Sequence, residues 1–588
     1  MIETRSARWF LAIALLGIVA GAPCRATGPP AVFSRVTRAR RPVALALGAD
    51  GSRIYAANRR SGSLSVVDAG LGLVTAEHDL GRGLGDLAAL PDGRLLAVDR
   101  EGDALLILKV DGDRIEVESR LPTPPDPASV LVAPDGASCV VASCASRCLS
   151  FFSLATGGRS PAKRSSTAVL PFEPLLMAWA VPGSKLIAAD AYGGRLAVVE
   201  PGSDAVSIRS IPAHNIRGLA NTPDGRSLVV VHQTLNRSAR SNFEGVHWGT
   251  LLGNQLRVLQ LDALLATDPD ADPLKGSRVV EIGRQGRAAG DPGPVAFDRE
   301  GRIFVALTGV HEVALITDLR SYYMRRVAVG QGPTDVLASP DGSVVYVADG
   351  FDDSISVVEV ATGRKLRTIP LGPSPEPGPV ERGEQLFADA RLSHDGWMSC
   401  QSCHTDGHTN GLSADTLSDG SFGAAKRIPS LLGVGSTAPW SWLGKSDRLE
   451  EQVRKSIETT MRGRTPSDAQ VDDLTAYLRS LPPPRSTPTE DDESVTRGRQ
   501  VFRARKCAEC HAPPDYTASG SFDVGLLDEA GNREFNPPSL LGVGSRPPFL
   551  HDGRAASLFD VFVRHRHPRE SGWSYTEVED LVAFLKTL

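Results

Sequence analysis

Two segments of the chain share one five-residue arrangement: Cys400-Gln401-Ser402-Cys403-His404 and Cys507-Ala508-Glu509-Cys510-His511. Two thiols at this spacing can add to the two vinyl groups of one haem, and the adjacent histidine then reaches the iron as proximal ligand. With eight cysteines and twelve histidines in the chain, chance places such a motif roughly 0.002 times per sequence. Two copies, in equivalent places of a repeat, specify two covalently bound c-type haems. Zinc would need further ligands of matching type, and no other cysteine lies near either motif. A thioredoxin-type redox pair would need a βαβ setting, which the pattern lacks. The other cysteines are Cys24, Cys139, Cys144 and Cys148. Cys144 and Cys148 are spaced for a small disulfide in an oxidising compartment, while Cys139, on a strand, is expected buried and free.

The elements that must position these motifs are of two kinds. From about residue 35 to 372 one unit recurs seven times at a spacing near forty residues. An apolar strand ends in a turn such as Pro91-Asp92-Gly93 or Pro340-Asp341-Gly342, and two more strands follow. Asp-Gly supplies the positive φ of a tight strand connection, and all-strand repeats of this period indicate a seven-bladed β-propeller. The fifth unit is lengthened by an insertion, Thr234 to Asn254, with His232 just before it and His247-Trp248 within it. These and His214-Asn215 are candidates to face the haem domain, bind a metal or meet a partner, and the plainer reading is scattered surface-loop residues.

After the Pro-rich stretch Pro370–Pro379 the pattern becomes helical, and a second linker, Pro482–Ser494, divides it. The two parts are copies: Arg382-Gly383-Glu384-Gln385-Leu386-Phe387 answers Arg497-Gly498-Arg499-Gln500-Val501-Phe502, and Pro429–Ser436 recurs unchanged as Pro538–Ser545. The expected architecture is multidomain: a propeller over 35–372, then two small α-helical c-type cytochrome domains over 378–484 and 494–588.

At the N-terminus, Arg5 and Arg8 precede an apolar run from Trp9 to Gly21, with Ala26 as the last residue removed. That is an export signal over 1–26, which places the mature chain in the periplasm or otherwise outside the cytoplasm. Pro23 before Cys24 disfavours lipoprotein processing. No other run could span a membrane, and a net charge of -5 leaves no basic footprint for nucleic acid.

The stretch Tyr346-Val347-Ala348-Asp349 resembles the YVTN-type propeller repeat, a likeness that bears on fold and not on function. Residues 378 to 588 resemble the dihaem bacterial cytochrome c peroxidases and their MauG-type relatives, on the two haem motifs and on Pro547-Pro548-Phe549-Leu550-His551-Asp552-Gly553-Arg554. The resemblance implies that the residue fourteen places after His551 binds the second iron. It is Met or Tyr in the family and His565 here, with His567 as its nearest competitor; a His/His pair lowers the potential relative to His/Met. It also implies that Trp442 passes electrons between the haems and that Gln452 lines the peroxide pocket. The family's acid for O–O cleavage has no clean match, Glu458 being the nearest and four residues early. Met461 and His408 are the candidates for the first iron's sixth ligand, although His408 stands only four residues past His404. A calcium ion between the haem domains, as in relatives, has no ligands identifiable in this sequence.

Two functions follow. One is a peroxidase- or MauG-like oxidoreductase acting on hydrogen peroxide or oxidising a partner at the first haem. The other is a non-enzymatic electron carrier whose propeller docks a redox partner, a protein or a small donor or acceptor.

Overall fold

The computed structural model describes residues 37–154, 162–203, 205–319, 323–484, 492–569 and 572–588; the segment expected to be an export signal, 1–26, and Cys24 within it lie outside them. Seven four-stranded antiparallel sheets follow one another along the chain, at residues 42–79, 84–122, 127–169, 174–210, 214–281, 292–328 and 333–370. The turns form as their residues require: Gly93 and Gly225 sit at φ of 88° and 66°, where a side chain would be strained. Alternate strand residues such as Leu64, Leu95, Leu186 and Val305 are sealed between neighbouring sheets. Each such side chain contributes about 1.5–3 kcal/mol by leaving water.

Every blade comes from one contiguous segment, so no strand from one end of the chain completes a blade at the other. The ring closes through side chains. Asp335 of blade 7 accepts the Leu45 N–H of blade 1 at 2.7 Å, and Thr334 donates to the Pro42 carbonyl at 2.7 Å. Asp86 does the same between blades 2 and 3, accepting the Val130 N–H at 2.9 Å. Burial pushes the carboxyl of Asp86 up to about 6 and that of Asp335 up to about 7.

The insertion in blade 5 lies between the strands Ser227–Leu235 and Leu252–Gln260 and carries the short helix α1 (Phe243–His247), capped by the Asn242 side chain. A one-turn helix, α2 (Leu261–Leu264), ends the blade's third strand.

The first cytochrome half contains α3 (Pro379–Phe387), α4 (Leu449–Lys455) and α5 (Asp468–Ser480); the second contains α6 (Glu493–Ala504), α7 (Leu558–Val563) and α8 (Tyr575–Leu585). The repeated Arg-Gly pair explains how each half is built. A Cβ on Gly383 would lie 2.0 Å from the Asp473 carbonyl oxygen, and one on Gly498 would lie 1.9 Å from that of Asp580. Only glycine lets α3 touch α5 and α6 touch α8. The preceding arginines then fork onto the same partners, Arg382 onto Asp473 (2.7 and 2.7 Å) and Arg497 onto Asp580 (2.8 and 2.9 Å), the bidentate geometry guanidinium favours. Ser467 and Ser574 begin α5 and α8 with capping boxes. No helix among the described residues is long and apolar enough to cross a membrane.

The predicted Cys144–Cys148 disulfide does not form. Cys148 opens a strand and pairs in register with Ser143, while the Cys144 thiol turns to the next blade and donates to the Pro174 carbonyl at 2.8 Å. Cys139 is buried and free.

Candidate haem sites

The first motif lies on a cavity of about 300 Å³ lined mostly by apolar side chains. Cys400, Cys403 and His404 form one side, and Trp440, Trp442, Gln452 and Met461 also face it. Leu235, Leu251 and Leu252 reach the cavity from the blade-5 insertion, and Asn536, Pro537 and Arg546 reach it from the second cytochrome half. Three parts of the chain therefore enclose one site.

The ring of His404 is held by its Nδ1, which donates to the Pro429 carbonyl at 2.9 Å. That bond fixes the tautomer and leaves Nε2 as the lone-pair nitrogen. Burial depresses its pKa to about 4, so the ring is neutral at neutral pH, the form that binds a metal. His511 repeats the arrangement, with Nδ1 3.2 Å from the Tyr516 carbonyl and a pKa also lowered by burial.

Two covalent haems fit these residues. Each motif presents two half-buried thiols, none of them in a disulfide, beside a histidine of the correct tautomer. Two guanidiniums face the first cavity with no ion pair to a carboxylate among the described residues: Arg427, whose Nε has no partner, and Arg546, whose carbonyl Arg427 holds at 2.7 Å. Burial lowers their pKa values to about 10 and about 9. Buried cations of this kind call for an anion, and haem carries two propionates.

The predicted residues separate on inspection. Trp442 donates its Nε1 to the Arg427 carbonyl at 2.6 Å. Its backbone oxygen accepts from Asn536 N at 2.8 Å, so the loop that carries it is gripped by the second half. Gln452 is fixed at both ends of its amide, accepting from Ser446 Oγ at 3.0 Å and donating to Ser456 Oγ at 3.2 Å. Met461 is 4 % exposed and faces the cavity. His408 does not line it; its Nδ1 lies 2.8 Å from Ser430 Oγ. Glu458 is off the cavity too. The helix takes a π turn at Ser456–Thr460; Gln452, Val453, Ser456, Ile457, Thr460 and Met461 reach the wall at three- and four-residue spacing, and Glu458 falls outside that stripe.

In the second half, His565 Nε2, His567 Nδ1 and Trp573 Nε1 are buried without hydrogen-bond partners. Burial pushes His567 down to about 4, and the nearby His511 adds to the shift. His567 is thus within electrostatic reach of the proximal histidine, while His565 presents an orphaned nitrogen. Between the halves the carboxylates of Asp528 and Asp419 hold the Lys426 ammonium, at 2.8 and 3.2 Å. This internal cation stands in the seam where a calcium ion was expected, and no group of three His, Cys, Asp or Glu ligands gathers there among the described residues.

The propeller histidines are not loop residues. His214 and His232 are fully buried, and His214 Nε2 donates to the Ser402 carbonyl, inside the first motif, at 3.2 Å. Asn215 donates to the same oxygen at 3.0 Å, Gln233 to Ser402 Oγ at 3.3 Å, and Ser402 Oγ to Asp291 at 2.7 Å. Asn254 donates to the Trp397 carbonyl at 3.0 Å. Sequence reasoning missed Asp291, in the bend before the strand Pro292–Phe297, and Gln233, a polar residue on an otherwise apolar strand. It also missed Arg427 and Arg546, which stand close to the repeated Pro-Ser-Leu-Leu segments.

Residues 378–482 match the di-haem cytochrome c peroxidase family. The chain is 26 % identical over 315 residues to the methylamine utilization protein MauG of Methylorubrum extorquens, spanning 42 % of this chain and 88 % of that one. It is 25 % identical over 267 residues to the cytochrome c551 peroxidase of Nitrosomonas europaea, spanning 36 % and 79 %. Among solved structures, Kuenenia stuttgartiensis hydrazine synthase aligns with 56 % of this chain and 99 % of its own, at 21 % identity and a TM-score of 0.47. The protein is a seven-bladed β-propeller followed by a di-haem cytochrome c peroxidase/MauG domain.

Proposed function

We propose that the protein is an extracytoplasmic oxidoreductase in which peroxide reacts at the first haem site and electrons reach it from the second by way of Trp442. The observation that carries this reading is the shared cavity: His404, Trp442, Gln452 and a wall of the second half all meet in it. The covalent haems, when bound, supply the redox chemistry. The chain's own residues hold and select. His404 keeps a lone-pair nitrogen on the cavity through its bond to Pro429. Gln452 presents a fixed amide to a small polar ligand. Trp442 bridges the halves, packed in the first and tied to Asn536 of the second. The apolar wall excludes water. Glu458 has no part in proton transfer in this reading, so a proton for peroxide cleavage must pass through bound water or the substrate, with Gln452 orienting the ligand by hydrogen bonds.

The second half is the port for a redox partner. Lys506, just before its motif, and Glu509, within it, have side chains 74 % and 69 % exposed. The rival reading, an electron carrier, draws on Met461: buried on the cavity wall, it can close the first iron with its sulfur.

EPR and optical spectra of the purified holoprotein, before and after stoichiometric hydrogen peroxide, decide between them. A high-spin ferric signal consumed by peroxide supports the oxidoreductase. Two low-spin irons, unchanged by peroxide in oxidised and half-reduced protein alike, leave the electron carrier.

A further inference from the structure

Outside the haem sites, one set of side chains has the composition and spacing of a metal centre. His247, the last residue of α1 in the blade-5 insertion, meets His394 and Asp395 in the turn before the first haem motif. His247 Nδ1 lies 2.9 Å from His394 Nε2 and 3.4 Å from Asp395 Oδ2, and His394 Nε2 lies 3.5 Å from the same oxygen. The edges of a tetrahedron of ligands around a first-row ion are about 3.3 Å long, given bonds of about 2.0–2.1 Å. A point at that bond length from all three atoms exists, because the circle through them has a radius of only about 1.9 Å.

The cluster is built rather than accidental. Phe243 stacks on His247 (5.1 Å, 13°) and tilts against His394 (5.0 Å), while Trp248 meets His247 edge-on, so both imidazole planes are fixed. Asp395 takes a left-handed φ of 58°, costly for a residue other than glycine. It is kept there by blade 6's approach loop: Gly286 N donates to its Oδ2 at 2.7 Å and Ala288 N to its carbonyl at 3.1 Å. The three side chains are 20–26 % exposed, open enough for an ion and a water to enter.

We propose that His247, His394 and Asp395 bind a divalent first-row transition ion, of which zinc is the representative, with water completing the coordination. Two imidazoles and one carboxylate are borderline ligands that take zinc or a similar ion in preference to calcium or magnesium. The ion ties the propeller to the cytochrome at one point. That point touches the haem cavity, since His394 N donates to the Met461 carbonyl at 3.0 Å.

The test uses tag-free, full-length holoprotein freed of adventitious metal with a chelator and titrated with zinc chloride. Calorimetry and metal analysis after gel filtration are expected to give one zinc per chain, and X-ray absorption at the zinc edge to show two imidazoles and a carboxylate or water shell. His247→Ala is expected to weaken binding at least tenfold. Asp395→Asn keeps the acceptor for Gly286 and is expected to weaken it while the haem spectrum and circular dichroism stay unchanged. The proposal is overturned if the wild-type chain takes up no zinc, if the bound zinc shows fewer than two imidazoles, or if folded Asp395→Asn binds zinc as the wild type does.

Discussion

The two haem motifs descend from one pattern and sit in different surroundings. Ser402, in the middle of the first, is completely buried and receives or gives hydrogen bonds to His214, Asn215, Gln233 and Asp291, all from the propeller. Glu509, in the middle of the second, points into solvent. The helix pairing beneath them is the same in both, down to the glycine that lets the helices touch. The duplicated fold therefore supplies attachment and a proximal ligand twice, and the propeller supplies position and seclusion once. That asymmetry is the physical ground for the proposed division, with substrate chemistry in the braced half and electron exchange in the open one.

The assignment breaks most sharply through the thiols. Cys400→Ser with Cys403→Ser is expected to leave one covalent haem per chain and to bring peroxide turnover down to background; Cys507→Ser with Cys510→Ser is expected to leave one haem that still consumes one equivalent of peroxide. Haem stoichiometry by pyridine haemochrome and a stopped-flow peroxide titration read both results, and equal losses would refute the division of labour.

Next come the glycines. Gly383→Ala and Gly498→Ala each drive a Cβ into a backbone oxygen, which overpacks the helix pair by about 1–3 kcal/mol or more. Thermal unfolding followed at each haem's absorption is expected to show matched losses, each confined to its own half. Unequal losses would mean that the propeller supports the first half's helices as well as its motif.

A smaller effect isolates the brace. Asp291→Ala removes the acceptor of Ser402 Oγ and leaves a buried donor unpaired, a cost of about 1–3 kcal/mol. Hydrogen exchange is expected to quicken at residues 399–405 and to stay unchanged at 507–511.

The smallest effect concerns the ring that carries the brace. Burial raises Asp86 to about 6 and Asp335 to about 7, so between about pH 4 and pH 7 these two carboxyls hold more protons in the folded propeller than in the unfolded chain. Their share of the stability falls as pH rises through that window. His214 and His232, which burial lowers to about 3 and about 4, contribute the opposite share, so the difference between wild type and an Asp335 variant is the quantity to read. Denaturant unfolding at pH 4.5–7.5 is expected to show the wild type losing stability relative to Asp335→Asn as pH rises; an unchanged slope in the variant would remove Asp335 as a source.

The sequence disclosed what is local. Seven turns with their strands, two Cys-x-x-Cys-His motifs and the repeated Arg-Gly-x-Gln helices each lie within a few residues and announce themselves by spacing. The brace is invisible there, because Asp291 and Ser402 are 111 residues apart and a single Asp before a Pro-Gly-Pro strand start reads like any other turn residue. The same distance hid His247 and His394, separated by 147 positions, so His247 passed for a loop residue. Glu458 was reached by resemblance alone, four residues before the place of the family's acid, and it falls outside the stripe of Gln452, Ser456 and Thr460 that lines the cavity. Cys144 and Cys148 are close along the chain, yet a strand start and a cross-blade hydrogen bond point their sulfurs apart.

The seam between blades 7 and 1 has no shared strand, and what crosses it from outside is the start of the cytochrome. Arg40 and Arg41 donate their backbone N–H groups to Asp353 of blade 7 at 2.9 and 2.7 Å, and the Arg40 guanidinium also holds the Pro373 carbonyl of the linker at 2.9 Å. Arg41 and Arg60 reach over to Glu384 and Glu381 of α3. The following domain is thus a clasp laid over a seam that Asp335, Thr334 and a shared apolar cluster already close from within. A pull on the C-terminus loads the ion pairs of α3 before it reaches the last blade, and the seam itself is strained only after the clasp has let go.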